Sequence, residues 1–530
     1  MSMYTLSGDS SQEKAVKLSS RGGVTNAIEG RHNKTADVVG KGPETALADG
    51  SDIPEKEDAL QRKVTAHDWN GPDDPENPLN WPLWQRIYHT TVPSLFGFAV
   101  TLGSSVYTPG YPDVEKRFKV SSTVALLPLS LYVLGLAFGP VLAAPISETL
   151  GRRVVYLISS PIAAMFTLGA GFSNTIAALA ITRFFAGFFG SPALAVGAGT
   201  NVDLWAPVHR AAAASAFLLA PVLGPAIGPA VGGFAAQYKG WRWTQWPILF
   251  LLVPVYLYSL GMKETYKKII LQKRAKRLGI PPPPKVGPSG LAAVKFLITV
   301  TLFRPVRMIF TEPIVFFFSF YIGFNFSVLF AFFDAFPIVF EGVYHFDRGF
   351  SGLTFLGIGF GSCLGVATTM ILNRLRYHKE YLRSHKEGRG GAVAPEHRLY
   401  AAMIGSFGVP VGLFWFAWTS RHDVHWISPV LATVPFAWGN ISIFNAATLY
   451  LVDVYGPLNG ASALAATGLV RYIAGAVSPL FTVQMYDRMG IAWATSLLGF
   501  LSLTMLPIPW VLFKFGPQVR EKSHFDTIKA

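Results

Sequence analysis

Between residues 215 and 233 the chain reads Ser215-Ala216-Phe217-Leu218-Leu219-Ala220-Pro221-Val222-Leu223-Gly224-Pro225-Ala226-Ile227-Gly228-Pro229-Ala230-Val231-Gly232-Gly233. This stretch is long enough to cross a bilayer, which takes about 20 apolar residues. Yet Gly recurs through it at small-residue spacing, and Pro interrupts it. In water such a helix is poor, because an interior Gly costs about 1 kcal/mol and an interior Pro about 3 kcal/mol. In lipid the same residues let helices approach backbone to backbone and bend. A tightly packed helix seam alone would leave the second proline without a role, so the segment reads as a bent helix in a moving membrane protein.

Composition agrees. Of 530 residues, 51% are hydrophobic and only 14% charged, and the mean hydropathy is +0.36, well outside the soluble globular range. The net charge of +14 does not point to nucleic acid, because the basic residues lie between apolar runs rather than along one face. A single cysteine, Cys363, in an apolar run excludes a disulfide framework and a cysteine metal site.

A hydrophobic window gives twelve spans, and so an all-α membrane protein of two six-helix bundles: 88–109, 122–144, 154–173, 176–200, 210–236 and 243–262, then 312–340, 350–372, 398–419, 427–450, 462–484 and 492–514. The corresponding organisation is a polar, disordered tail (1–86), a first bundle (87–262), a central linker (263–311), a second bundle (312–516) and a short tail (517–530). The linker contains Pro281-Pro282-Pro283-Pro284, and its apolar stretch at 291–303 reads as an interfacial helix.

Lys and Arg crowd the linker and the loop after the eighth span, where Arg374, Arg376, Lys379, Arg383, Lys386, Arg389 and Arg398 lie. Arg152 and Arg153 share that side, which the positive-inside rule makes cytoplasmic together with both termini. Asn33-Lys34-Thr35 then falls on the cytoplasmic side and is expected to carry no glycan.

Several motifs carry a family resemblance. Asp74-Pro75-Glu76-Asn77-Pro78-Leu79-Asn80-Trp81 precedes the first span, and Leu302-Phe303-Arg304-Pro305-Val306-Arg307-Met308-Ile309-Phe310-Thr311-Glu312-Pro313 precedes the seventh. Together with Gly224, Gly228, Pro229, Gly232 and Gly233 of the fifth span, they resemble the major facilitator superfamily, and within it the fungal twelve-span drug:proton antiporters. Ser215 stands where that family's fifth-span antiporter motif begins with Gly. The resemblance runs from about 73 to 517. It implies export by alternating access, driven by the proton gradient without a cofactor.

The loop Ala144-Pro145-Ile146-Ser147-Glu148-Thr149-Leu150-Gly151-Arg152-Arg153 resembles the superfamily's acidic-x-x-Gly-Arg-Arg loop. Gly151 permits a tight turn, Glu148 is placed to accept hydrogen bonds at a neighbouring helix start, and Asp203, closing span four, is a natural partner for Arg152. By resemblance, this cluster is a cytoplasmic gate that latches the halves when the outside is open. The charge bias of an ordinary cytoplasmic loop explains the same residues without a latch.

Charge inside a span is costly, at least about 2.5–3.5 kcal/mol on insertion scales, and three such residues stand out: Arg183, Asp334 and Arg471. Arg183-Phe184-Phe185-Ala186-Gly187-Phe188-Phe189-Gly190-Ser191-Pro192 resembles the family's span-four motif, whose Arg is implicated in proton transfer. An Arg keeps its proton at working pH, so the titrating group lies elsewhere, and Asp334 is the best-placed carboxyl. The alternatives are a packing Arg183 bonded to carbonyls, an Asp334 reaching for the outer interface beside Pro337, and a purely structural Arg471.

By resemblance, spans seven and ten line the substrate cavity. Their candidates are Tyr321, Phe324 and Asn325, then Trp438, Asn440 and Asn445 ahead of Tyr450-Leu451-Val452-Asp453-Val454-Tyr455, with Arg471 from span eleven. Aromatic walls with sparse amides suit flat amphipathic solutes. No HExxH, GxSxG or Walker pattern is present, which argues against an enzyme or an ATP-driven pump. The expected protein is a monomeric exporter of drugs, toxins or a secondary metabolite, with protons, a small-molecule substrate and the bilayer as partners and no nucleic acid. The plasma membrane is the expected location and the vacuolar membrane the alternative. The competing function is a symporter for uptake of an organic acid, vitamin or similar nutrient.

Overall fold

Local sequence sets where the helices begin and end. Gly151 takes φ +104°, a backbone region that a side chain disfavours, and it separates α2 (Ser122–Leu150) from α3 (Arg152–Gly171) without a loop. Thr175 caps the next helix by accepting from the Ala178 amide, and Pro occupies the first helical position of Pro207–Lys239 and Pro313–Phe336. These features come from a computed structural model, which describes residues 68–281, 299, 303–388 and 393–527.

The spans follow in order. The first half holds α1 (Leu83–Ser105), α2, α3, α4 (Ile176–Leu204), α5 (Pro207–Lys239) and α6 (Trp246–Ser259). The second holds α7 (Pro313–Phe336), α8 (Arg348–Lys386), α9 (Tyr400–Thr419), α10 (Ile427–Gly456), α11 (Asn459–Val477) and α12 (Pro479–Glu521). Among the described residues ten segments are long and apolar enough to cross a membrane, and α1 and α6 occupy the places of the first and sixth expected spans. Gly490, at φ +74°, bends α12, so its first part continues α11 and its second part forms the return span.

Two boundaries expected from sequence move. The N-terminal tail does not extend to 86: Pro78–Asn80 is helical, α1 begins at Leu83, and Arg274 of the linker helix Lys267–Leu278 binds Asp74 at 2.8 Å and Glu76 at 2.6 Å. Nor is the stretch from 517 a free tail. Its Arg520 pairs with Glu396 at 3.0 Å, and Ser523 Oγ donates to Glu312 at 2.7 Å. In both cases a buried acid holds a segment that hydropathy alone reads as polar. The remainder of the expected tail, Asn33 and most of the expected interfacial helix at 291–303 lie outside the described residues.

The halves meet where α5 packs on α8, and where α2 packs on the Ile427–Val477 helix and on the start of α12. One end of the bundle carries the Gly151 turn and the linker and is called the basic end. At the opposite end, among the described residues, three polar contacts join the halves. Arg348 Nη1 meets the Asp113 carboxylate at 3.0 Å, the Gly349 amide donates to Gln237 at 2.9 Å, and Thr123 lies 2.7 Å from the Gln484 amide.

Candidate functional site

The fifth-span glycines face two helices. A methyl group on Gly224 would strike Thr101 of α1, one on Gly228 would strike Ser105, and one on Gly232 the Val106 carbonyl. Gly233 instead lies against the Arg348 carbonyl of α8, and the Pro229 carbonyl lies against Gly352 of the same helix. The motif therefore packs α5 onto its own half and onto the other, while Pro221 and Pro225 look into a cavity between them. Ser215 is buried but lies off the cavity.

That cavity has a volume of about 150 Å³ and draws its wall from both halves: Thr101, Ser104 and Phe217 from the first, Phe326, Asn440 and Arg471 from the second, among others. Of the residues expected there, Asn440 and Arg471 line it, whereas Tyr321, Phe324, Asn325, Trp438 and Asn445 do not. The helix register gives the reason. Phe318 packs on Tyr450, and Phe332, four turns further along α7, packs on Phe436, four turns earlier in α10. Asn325, midway, thus faces the middle of α10 rather than the cavity. Trp438 turns away to donate to Thr368 Oγ1 at 2.9 Å. Phe324 is partly buried against the main apolar core, to which both halves contribute. Tyr321, Asn325, Ser442 and Asn445 retain buried polar atoms without a hydrogen-bond partner among the described residues.

Arg471 enters the cavity between three rings, with its guanidinium 5.1 Å from the Phe326 centroid, 4.7 Å from Phe444 and 4.5 Å from Tyr472.

Arg183 and Asp334 are not brought together. Arg183 Nη2 donates to the Gly103 carbonyl at 2.9 Å and Nη1 to Gln245 Oε1 at 3.2 Å, while the Tyr132 and Tyr107 rings cover the guanidinium at 4.4 and 5.0 Å. This is the carbonyl-bonded packing arrangement. It ties α4 to α1 and to the start of α6. Asp334 does not reach for the interface: it is 0% exposed, and both carboxyl oxygens lack a hydrogen-bond partner among the described residues. A charge there would be costly.

At the basic end, Arg152 Nε meets Asp203 Oδ2 at 3.3 Å and Nη1 donates to Ser147 at 2.6 Å. The acid that caps the α3 start is Glu264, not Glu148. Glu264 accepts from the Arg152 amide at 2.8 Å and the Arg153 amide at 3.2 Å, while Glu148 is exposed. Sequence proximity favoured Glu148, but its exposed side chain makes no hydrogen bond to the α3 amides, which Glu264 already occupies. The second half carries a matching pair missed from sequence, Arg398 Nε to Asp453 Oδ2 at 2.7 Å. Its signal was present: Val202-Asp203-Leu204-Trp205 closing α4 repeats as Val452-Asp453-Val454-Tyr455 closing α10. Each Asp thus receives an Arg from the start of the helix before it. Each pair lies within its own half, and the Glu264 cap ties the start of the linker to the first half.

Two halves with repeated charge pairs and a cavity at their seam agree with the comparison to known proteins. Residues 94–479 match the model of the Major Facilitator Superfamily. The chain belongs to this superfamily. It is a multi-pass membrane transporter, not an enzyme. It is 42% identical to Polyamine transporter 4 of Saccharomyces cerevisiae over 86% of this chain and 73% of that protein. It is 37% identical to a citrinin biosynthesis cluster transporter of Monascus ruber, covering 91% and 96%. A multidrug transporter of Aspergillus fumigatus is also 37% identical, over 86% and 74%.

Proposed function

We propose that this transporter exports small amphipathic organic molecules by proton-driven antiport, using alternating access. The observation that carries the reading is the cavity lined by both halves, with the halves joined at the Arg348 end. Rocking of one bundle against the other moves such a site from one face of the membrane to the other. The basic end faces the cytoplasm, as do both termini, so the state described has its outer end closed. The working unit is a single chain in the plasma membrane, needing no cofactor.

Asp334 is the proton-carrying group, and Arg183 supplies a fixed positive charge in the first half. A proton arriving from outside neutralises Asp334 and favours release of the solute outward. Loss of that proton to the cytoplasm restores the loading state. Coupling requires that proton and solute favour different conformations. The multidrug and citrinin-cluster relatives support export.

The test uses inside-out membrane vesicles from cells expressing the full chain or its Asp334→Asn variant, challenged with a compound panel. Wild-type vesicles are expected to accumulate solute only with an acidic lumen, and Asp334→Asn to keep binding while losing the pH dependence. Accumulation inside intact expressing cells, relative to a deletion strain, would establish uptake instead. An unchanged pH profile in Asp334→Asn would move the proton site elsewhere.

A further inference from the structure

The cavity wall holds one formal charge, Arg471, and no Asp or Glu among the described residues. The guanidinium makes no hydrogen bond or ion pair with any described residue, and its buried Nε lacks a partner. The Phe326, Phe444 and Tyr472 rings steady the cation, but a ring quadrupole does not neutralise it. Arg471 is half-buried within a membrane span, and a cation there without a counter-charge is costly to keep. The planar fork of an Arg is matched by a carboxylate, which accepts two parallel N–H bonds. Asn440, on the same wall, is likewise without a hydrogen bond to a described residue and adds an amide donor. The rest of the wall is mostly apolar and aromatic, as in Phe217, Leu218, Phe330 and Ile358, with hydroxyls only from Thr101, Ser104, Ser362 and Tyr472.

We infer that the cavity selects amphipathic organic anions, with Arg471 and Asn440 holding a carboxylate head and the aromatic wall holding an apolar body. The inference rests on the transport reading above and narrows it to a substrate class. A polycation such as a polyamine meets the opposite chemistry here: it would bring ammonium groups to a wall with one cation and no acid.

A matched series sharing one ring system separates the cases: naphthoate, naphthamide and naphthylmethylammonium, radiolabelled, with the purified full-length protein in nanodiscs. Equilibrium binding is expected to favour naphthoate by about tenfold or more over the other two. Arg471→Gln should abolish that preference, and Arg471→Lys should keep part of it, since charge remains while the fork is lost. Size-exclusion profiles matching the wild type establish that both variants fold. The proposal is overturned if the ammonium compound binds as well as naphthoate, if Arg471→Gln binds naphthoate unchanged, or if the wild type does not bind naphthoate. Reconstitution into liposomes then tests the transport reading by itself. Arg471-dependent naphthoate binding without movement under a proton gradient would leave the anion site standing and remove the antiport.

Discussion

Arg348 Nη1 stands 3.0 Å from both carboxylate oxygens of Asp113, joining the two halves at the end away from the basic loops. Asp113 lies in the short helix Tyr111–Phe118 between α1 and α2, and Arg348 opens α8. Each side chain is about a quarter exposed, at 27% and 26%, so the pair is worth about 0.2–1 kcal/mol.

That energy suffices to bias a balanced conformational equilibrium without affecting folding. Asp113→Asn or Arg348→Gln should raise access to the cavity from this end up to about fivefold. The check is maleimide labelling of a cysteine placed at Ile358, after Cys363 has been replaced. The Asp113→Arg/Arg348→Asp exchange should restore wild-type labelling.

The glycines of α5 separate by the helix they touch. Gly228→Ala intrudes on Ser105 within one half, and overpacking of that kind costs about 1–3 kcal/mol. It should lower the melting temperature. Gly233→Ala intrudes on Arg348 across the halves, so it should leave the melting profile closer to wild type while reducing transport. Thermal scans and vesicle uptake on the same preparations distinguish the two.

Glu264 also accepts from the Thr265 and Tyr266 amides, at 3.1 and 3.0 Å. Glu264→Ala removes this cap and should cost about 1–2 kcal/mol. Glu148→Ala alters an exposed side chain and should stay within about 0.5 kcal/mol of wild type. Equal destabilisation by both would contradict this assignment of the α3 cap.

The lead-in segment is held to the linker helix by charge. Burial alone would raise the Asp74 carboxyl, but the Asn70 and Glu76 amides and Arg274 outweigh it and set it below its ordinary 3.8. For Glu76, burial is likewise outweighed by Arg277 and Arg274, which set it below 4.5. A depressed acid stabilises the fold fully above its ordinary value and loses that contribution as pH falls through the folded value. Protection of this segment from protease should therefore persist at neutral pH and fade only in strong acid. Arg274→Gln leaves Asp74 buried and unpaired, a loss of about 3 kcal/mol or more, and should expose the segment at neutral pH. Cleavage around residue 70 reads both.

The interior of the second half resisted sequence reading for a definite reason. α7 is apolar on nearly every side, so no polar stripe marks the face it turns to its neighbours. Each residue turns a helix by about 100°, and a rotation of that size exchanges Asn325 for Phe326 at the cavity wall. Tyr321 and Asn325 were legible as polar residues of span seven, but not as residues of the α7–α10 seam. Asn440 and Arg471 line the cavity because it opens on their faces of α10 and α11.

By itself, the sequence determined the order of the spans, the break between two halves and the close-packing role of the 215–233 stretch. Hydropathy and Gly/Pro placement act within one helix and need no partner to be read. Only the tertiary structure decided which helices those glycines touch, that Glu264 rather than Glu148 caps α3, and that Arg471 stands in the cavity without an acid. Those facts depend on how each helix is rotated and on which residues, distant in sequence, arrive beside it.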